Sequence, residues 1–140
     1  MTLSSFFFSC DDNGFNNKNP YLPDYSGFYV DIHMDFTVYN NLKFPSNAYH
    51  YPDHGDFTIP KDQGFFIFNT GSGYNAFDAA CPNQAFGSCS AMTVKGINLV
   101  CPCDKKEYSL FTGQSLGGAQ YPLKQYRVEV MGNNVLRVYN

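Results

Sequence analysis

An all-β fold of short antiparallel strands is what this chain predicts, on three observations. Apolar residues recur with a period of two from Gly27 onward, no amphipathic helix of useful length can be traced, and turn residues punctuate the chain at short intervals. Phe28, Val30, Ile32, Met34 and Phe36 alternate with Tyr29, Asp31, His33, Asp35 and Thr37, which reads as one half-buried strand. Gly64 to Phe68 is a short continuous apolar run, as expected of a strand covered on both faces. Asn69-Thr70-Gly71-Ser72-Gly73 supplies a turn, and Tyr74 to Asp78 returns. Further turns stand at Lys95-Gly96, Thr112-Gly113 and Gly132-Asn133-Asn134. The last of these separates Gln125 to Val130 from Val135 to Tyr139, a terminal hairpin.

Composition narrows the function. At 140 residues the chain is one domain, large enough to bury about two-thirds of its unfolded surface. Twelve Gly and eight Pro argue against long helices, and no run approaches a membrane span. The net charge is −3, and the nine Lys and Arg are scattered singly apart from Lys105-Lys106, so no nucleic-acid footprint is expected. Aromatics make up 18% without a single Trp; dense Phe and Tyr of this kind fill an all-β core and leave some over for an interaction surface. No Ser-His-Asp order, Gly-x-Ser-x-Gly elbow or phosphate loop is present, so the chain is not expected to be an enzyme.

The N-terminal region reads as processing signal rather than fold. Leu3-Ser4-Ser5-Phe6-Phe7-Phe8-Ser9-Cys10 is an apolar run ending at a cysteine, followed at once by Asp11-Asp12-Asn13-Gly14. This is similar to the end of a bacterial lipoprotein signal, although no basic residue precedes the run. Residues 1–10 are then a signal remnant with Cys10 lipidated, and residues 11–26 a polar tether. The expected location is the bacterial cell envelope, on its periplasmic or cell-surface face, with a lipid anchor in the membrane. The alternative is a loose terminus with a spare thiol. With Cys10 lipidated, four cysteines remain for an oxidising compartment.

Those four carry the most specific signal. Cys81-Pro82-Asn83 is followed by seventeen residues and then Cys101-Pro102-Cys103-Asp104. Downstream come Tyr108, Phe111-Thr112-Gly113-Gln114, Leu116-Gly117-Gly118-Ala119 and Tyr121-Pro122-Leu123-Lys124-Gln125-Tyr126. From about Gly64 to the C-terminus this series resembles a Rieske domain. The resemblance implies a Rieske-like antiparallel β sandwich over residues 27–140, with a small cluster-binding-type subdomain formed by loops at about 76–120. It also implies a 2Fe–2S centre, in which two thiolates hold one iron and two imidazoles the other. Cys81 and Cys101 stand at the sulfur positions, but Asn83 and Asp104 occupy the imidazole positions. Asn83 is a poor iron ligand, because its amide nitrogen has no free lone pair. Asp104 would bind through oxygen and change the charge of the centre. Lys105 and Lys106 replace the family's Gly and Ser, and Gly118 replaces the Pro of its third loop. No cofactor is therefore expected; the alternative keeps a 2Fe–2S cluster on Cys81 and Cys101 with Asp104 or a borrowed His.

Respiratory-chain members of the family clamp the two boxes with a disulfide, and Cys103 stands at that position with Cys89 available as its partner. The resemblance thus implies two bridges, Cys81 with Cys101 and Cys89 with Cys103, and the swapped pairing stays open. Each would close a loop worth about 3 kcal/mol in the chain-entropy model. A four-thiolate zinc site is the third option, for which Cys-x-Cys beside Cys-x7-Cys is a poor imitation of paired Cys-x-x-Cys knuckles. His33 falls on the polar face of the first strand. His50 and His54 lie in Tyr49 to Asp56, read as an aromatic, Pro-containing surface connection. The sequence thus describes an envelope lipoprotein with a Rieske-like domain that has lost its cluster and serves a binding or structural role beside an unidentified envelope protein. The competing reading is an electron-transfer iron–sulfur protein with an unusual ligand set.

Overall fold

A computed structural model describes residues 19–22, 27–52, 64–85, 89 and 91–140. The elements run β1 (Tyr29–His33), a 3₁₀ helix (Thr37–Lys43), β2 (Ala48–Tyr51), β3 (Phe65–Asn69), β4 (Tyr74–Asp78), β5 (Thr93–Lys95), β6 (Asn98–Val100), β7 (Glu107–Ser109), β8 (Gln125–Gly132) and β9 (Val135–Tyr139). Two antiparallel sheets result: six strands in the order β1-β9-β8-β4-β3-β2, and three in the order β5-β6-β7.

The larger sheet bends along β8. Gln125 and Tyr126 at its start pair with Phe77 and Ala76 of β4, whereas Arg127 to Gly132 pair with β9. The concave side encloses one core of Phe28, Val30, Ile32, Met34, Leu42, Phe65, Ile67, Ala76, Tyr126, Leu136 and Val138. On the opposite face of β3 and β4, Phe66, Phe68, Phe77 and Ala79 join Met92, Leu99, Tyr108, Leu110 and Leu123 in a second core. All five residues of β3 are buried because a core lies on each side of it, which explains its unbroken apolar run. The β8–β9 hairpin turns through Asn133 and Asn134, at φ 53° and 62°. Two consecutive left-handed residues give the twist that antiparallel strands need, and Asn tolerates the conformation.

Three differences from the sequence reading concern this framework. The first strand ends at His33 instead of running on to Thr37. Met34 is still buried, but Phe36 is 59% exposed. Asp35 accepts hydrogen bonds from Lys43 Nζ (2.7 Å) and Asn134 Nδ2 (3.1 Å), and Phe36 N donates to the His33 carbonyl (3.0 Å). That turn leads into the 3₁₀ helix, which the alternation did not foretell and which is pinned by the single buried Leu42. Secondly, His50 sits in β2, not in a connection, and stacks on the Phe66 ring at 4.5 Å. Thirdly, Asn19–Leu22, within the expected tether, is packed: Leu22 is 6% exposed. Gly64 closes the framework, at φ +71°; any Cβ there would overlap the Tyr51 carbonyl oxygen.

Candidate functional site

Three loops meet at one end of the second core. The first leaves β4 under firm control. Asp78 accepts from the Tyr126 hydroxyl (2.6 Å) and from Ala80 N (2.8 Å), so a buried carboxylate sets the direction in which Cys81 enters. The second loop follows β6 and turns tightly: Lys105 N donates to the Cys101 carbonyl and Cys101 N to that of Lys106, both at 2.9 Å. Lys105 takes a left-handed φ of 66° to close it. In the third loop, Ser115 Oγ accepts from Gly117 N (3.1 Å) and Ala119 N (3.0 Å), and Leu116 N donates to the Glu107 carbonyl (2.9 Å).

Disulfides join the first two loops. Cys81 bonds Cys101 with their Cα atoms 5.6 Å apart, and Cys89 bonds Cys103 at 5.5 Å, both inside the range a disulfide spans. This is the pairing the resemblance implies, not the swapped one. The two bridges differ in setting. Cys81 and Cys101 are 1% and 0% exposed within the second core, while Cys89 is exposed and Cys103 packs against that core from outside.

Asn83 ties the first loop to the third. Its Nδ2 donates to the Tyr121 carbonyl (2.8 Å) and to the Tyr108 hydroxyl (2.7 Å), and its Oδ1 accepts from Tyr121 N (2.8 Å). Both amide hydrogens and the carbonyl oxygen are thereby used inside the protein. Tyr108 is fully buried. Burial pushes its phenol above the ordinary range; the Asn83 hydrogen bond opposes this, and the Asp104 charge adds to it. Asp104 turns to its own loop, accepting from Lys106 N (3.0 Å) and lying 3.5 Å from Lys106 Nζ.

These residues do not fit a two-imidazole iron–sulfur centre. One imidazole position holds a carboxamide with no nitrogen lone pair to give, already engaged with Tyr121 and Tyr108. The other holds a carboxylate directed at a lysine of the same loop. Among the described residues no three His, Cys, Asp or Glu side chains are placed to share a metal ion. His33 is on the surface, stacked on Phe36 at 5.3 Å; Cys10 and His54 lie outside the described residues. Sequence reasoning named Asn83 and Asp104 for what they replace and missed what they do. It also missed Asn19, whose Nδ2 donates to the Pro82 carbonyl (2.7 Å), and Tyr21, which meets Tyr121 edge-on at 6.1 Å. Their one signal is the adjacent pair Tyr21-Leu22 after Asn-Pro in an otherwise polar stretch.

Two packed cores, with three loops meeting at one end of the second, define a Rieske-like domain. Solved structures share it. The plasma membrane Rieske protein PetC3 of the cyanobacterium Synechocystis PCC 6803 is similar at 23% identity, over 79% of this chain and 99% of that one, with a TM-score of 0.53. A chain of the complex of reduced oxygenase and oxidized ferredoxin in carbazole 1,9a-dioxygenase is similar at 18% identity, over 79% and 93% of the two chains, with a TM-score of 0.50. At such identities the likeness defines the fold. No family model matches the chain, and no curated protein does.

Proposed function

We propose that this is a lipid-anchored envelope protein whose Rieske-like domain has exchanged its iron–sulfur cluster for two disulfides and serves a binding or structural role, without catalysis. One observation carries the reading: Asn83, at an imidazole position, commits both amide hydrogens and its carbonyl oxygen to Tyr121 and Tyr108. Freeing it for any ligand would leave the third loop untied and the buried Tyr108 hydroxyl without that donor. The disulfides point the same way, since thiolates consumed in S–S bonds are not ligands. The anchor is supported by the run ending at Cys10, and a short stretch of chain separates that residue from the domain. No helix among the described residues is long and apolar enough to cross a membrane. An envelope protein is the partner this reading calls for.

The test is a visible spectrum with iron and acid-labile sulfide assays on the chain from Asp11 onward, purified without air, together with a thiol count in denaturant. We expect a colourless protein with no iron, no sulfide and no free thiol. A coloured protein with near-stoichiometric iron and sulfide would overturn the reading in favour of electron transfer.

A further inference from the structure

The expected tether touches the loop tip at Asn19 and Tyr21. Asn19 is bonded to Pro82 of the first loop, and Tyr21 lies against Tyr121 of the third. Asn19 stands nine positions after Cys10. At about 3.3–3.6 Å per residue, that length of chain reaches at most about 32 Å. A lipid on Cys10 therefore keeps the loop tip within that distance of the membrane.

The strand directions decide which end then points away. β4 runs from the turn at Gly71 toward the loops, and β8 pairs with it antiparallel, so β8 carries the chain away from the loops. The β8–β9 turn at Asn133 and Asn134 lies at the far end.

The chemistry of the tip suits a lipid surface. Leu116-Gly117-Gly118-Ala119-Gln120-Tyr121 contains no charge, and Leu116 and Tyr21 are 59% and 42% exposed. Leu116 is bonded to Glu107, next to the Lys105-Lys106 loop, where Lys105 is exposed and Asp104 pairs with Lys106. Glu107 itself pairs with Lys95 (3.3 Å), so the tip offers an exposed apolar side chain, an amphipathic ring and, on the neighbouring loop, an exposed cation, chemistry that suits the interfacial layer of a bilayer with anionic headgroups. We propose that the loop tip, centred on Leu116, Tyr21, Tyr121 and Lys105, is the face this domain lays against an anionic membrane surface. The proposal rests on the Cys10 anchor.

Amide hydrogen exchange of the full chain, acylated at Cys10 and bound to vesicles of phosphatidylethanolamine and phosphatidylglycerol, tests it against the chain from Asp11 onward in solution. Exchange across residues 116–121 should slow by about threefold or more on the vesicles, because a covered surface opens less often to water. Residues 131–134 should be unchanged. Leu116→Asp with Lys105→Glu should abolish the slowing while the protein still floats with the vesicles. Flotation with unchanged exchange at the tip, or with slowing at 131–134, overturns the orientation and leaves the anchor standing. The same slowing in concentrated protein without vesicles overturns it too, by assigning the tip to a protein contact. Absence of an acyl mass on Cys10 and of flotation overturns the anchor, and the orientation with it.

Discussion

A carboxamide offers two donors and an acceptor in one plane, where an imidazole offers one of each on opposite edges. At residue 83 that difference sets the architecture. Only an amide can pair with both the N–H and the C=O of Tyr121 and still reach the Tyr108 hydroxyl. Asn83→Ala leaves those groups half-buried or buried without their partner and should cost about 2 kcal/mol in urea unfolding with the disulfides intact. Asn83→His should recover little of it, since a ring cannot serve both backbone groups of Tyr121. A loss below about 0.5 kcal/mol for the alanine variant would mean that water takes over and that Asn83 does not hold the third loop. The identity of this position is legible in the sequence, as a histidine that is missing. Its role is not, because Asn83 and Tyr121 are joined only by the fold; nothing local links positions 38 residues apart.

Elements whose apolar pattern is set by a single sheet are readable in advance, and the β8–β9 hairpin and the doubly covered β3 both follow the pattern. The 3₁₀ helix escapes it, since its course depends on Asp35 reaching Lys43 and Asn134, one of them 99 residues away. Between the loops, local structure is sparse: β5, β6 and β7 have three residues each. Cross-links therefore matter more here than in the larger sheet. The outer bridge closes a loop of 14 residues. Replacing Cys89 and Cys103 together by serine should lower stability by about 3 kcal/mol in the chain-entropy model, read as a shift of the urea midpoint. The inner bridge cannot be probed so simply, because two serines at buried positions 81 and 101 would add the penalty of burying hydroxyls. An outer-bridge loss well under 1 kcal/mol would show that the inner bridge alone constrains the loops in the unfolded chain.

Three phenols tie the whole molecule to pH. Burial raises the proton affinity of Tyr108 in the second core, of Tyr74 beside Leu42, and of Tyr39, where Tyr49 and Tyr51 add to the effect. The unfolded chain releases the same protons at the ordinary phenol value of 10.0. The folded state therefore binds more protons than the unfolded state as soon as the pH passes that value, and stability must fall from there upward. Below it these groups contribute no slope. Urea midpoints of the chain from Asp11 onward should be level from about pH 8 to about pH 10 and then decline through the folded-state values. At the acid end the direction reverses. Arg137, hydrogen-bonded to Asp31 across the β1–β9 pairing, holds that carboxyl below its usual value, so stability is lost as pH falls through the folded-state value. That acid loss should be small, because both partners are about a third exposed and screened by solvent. Tyr39→Phe should flatten the alkaline decline by removing one of its protons. Midpoints level up to about pH 12 would show that the phenols titrate as if in water and that both cores admit solvent.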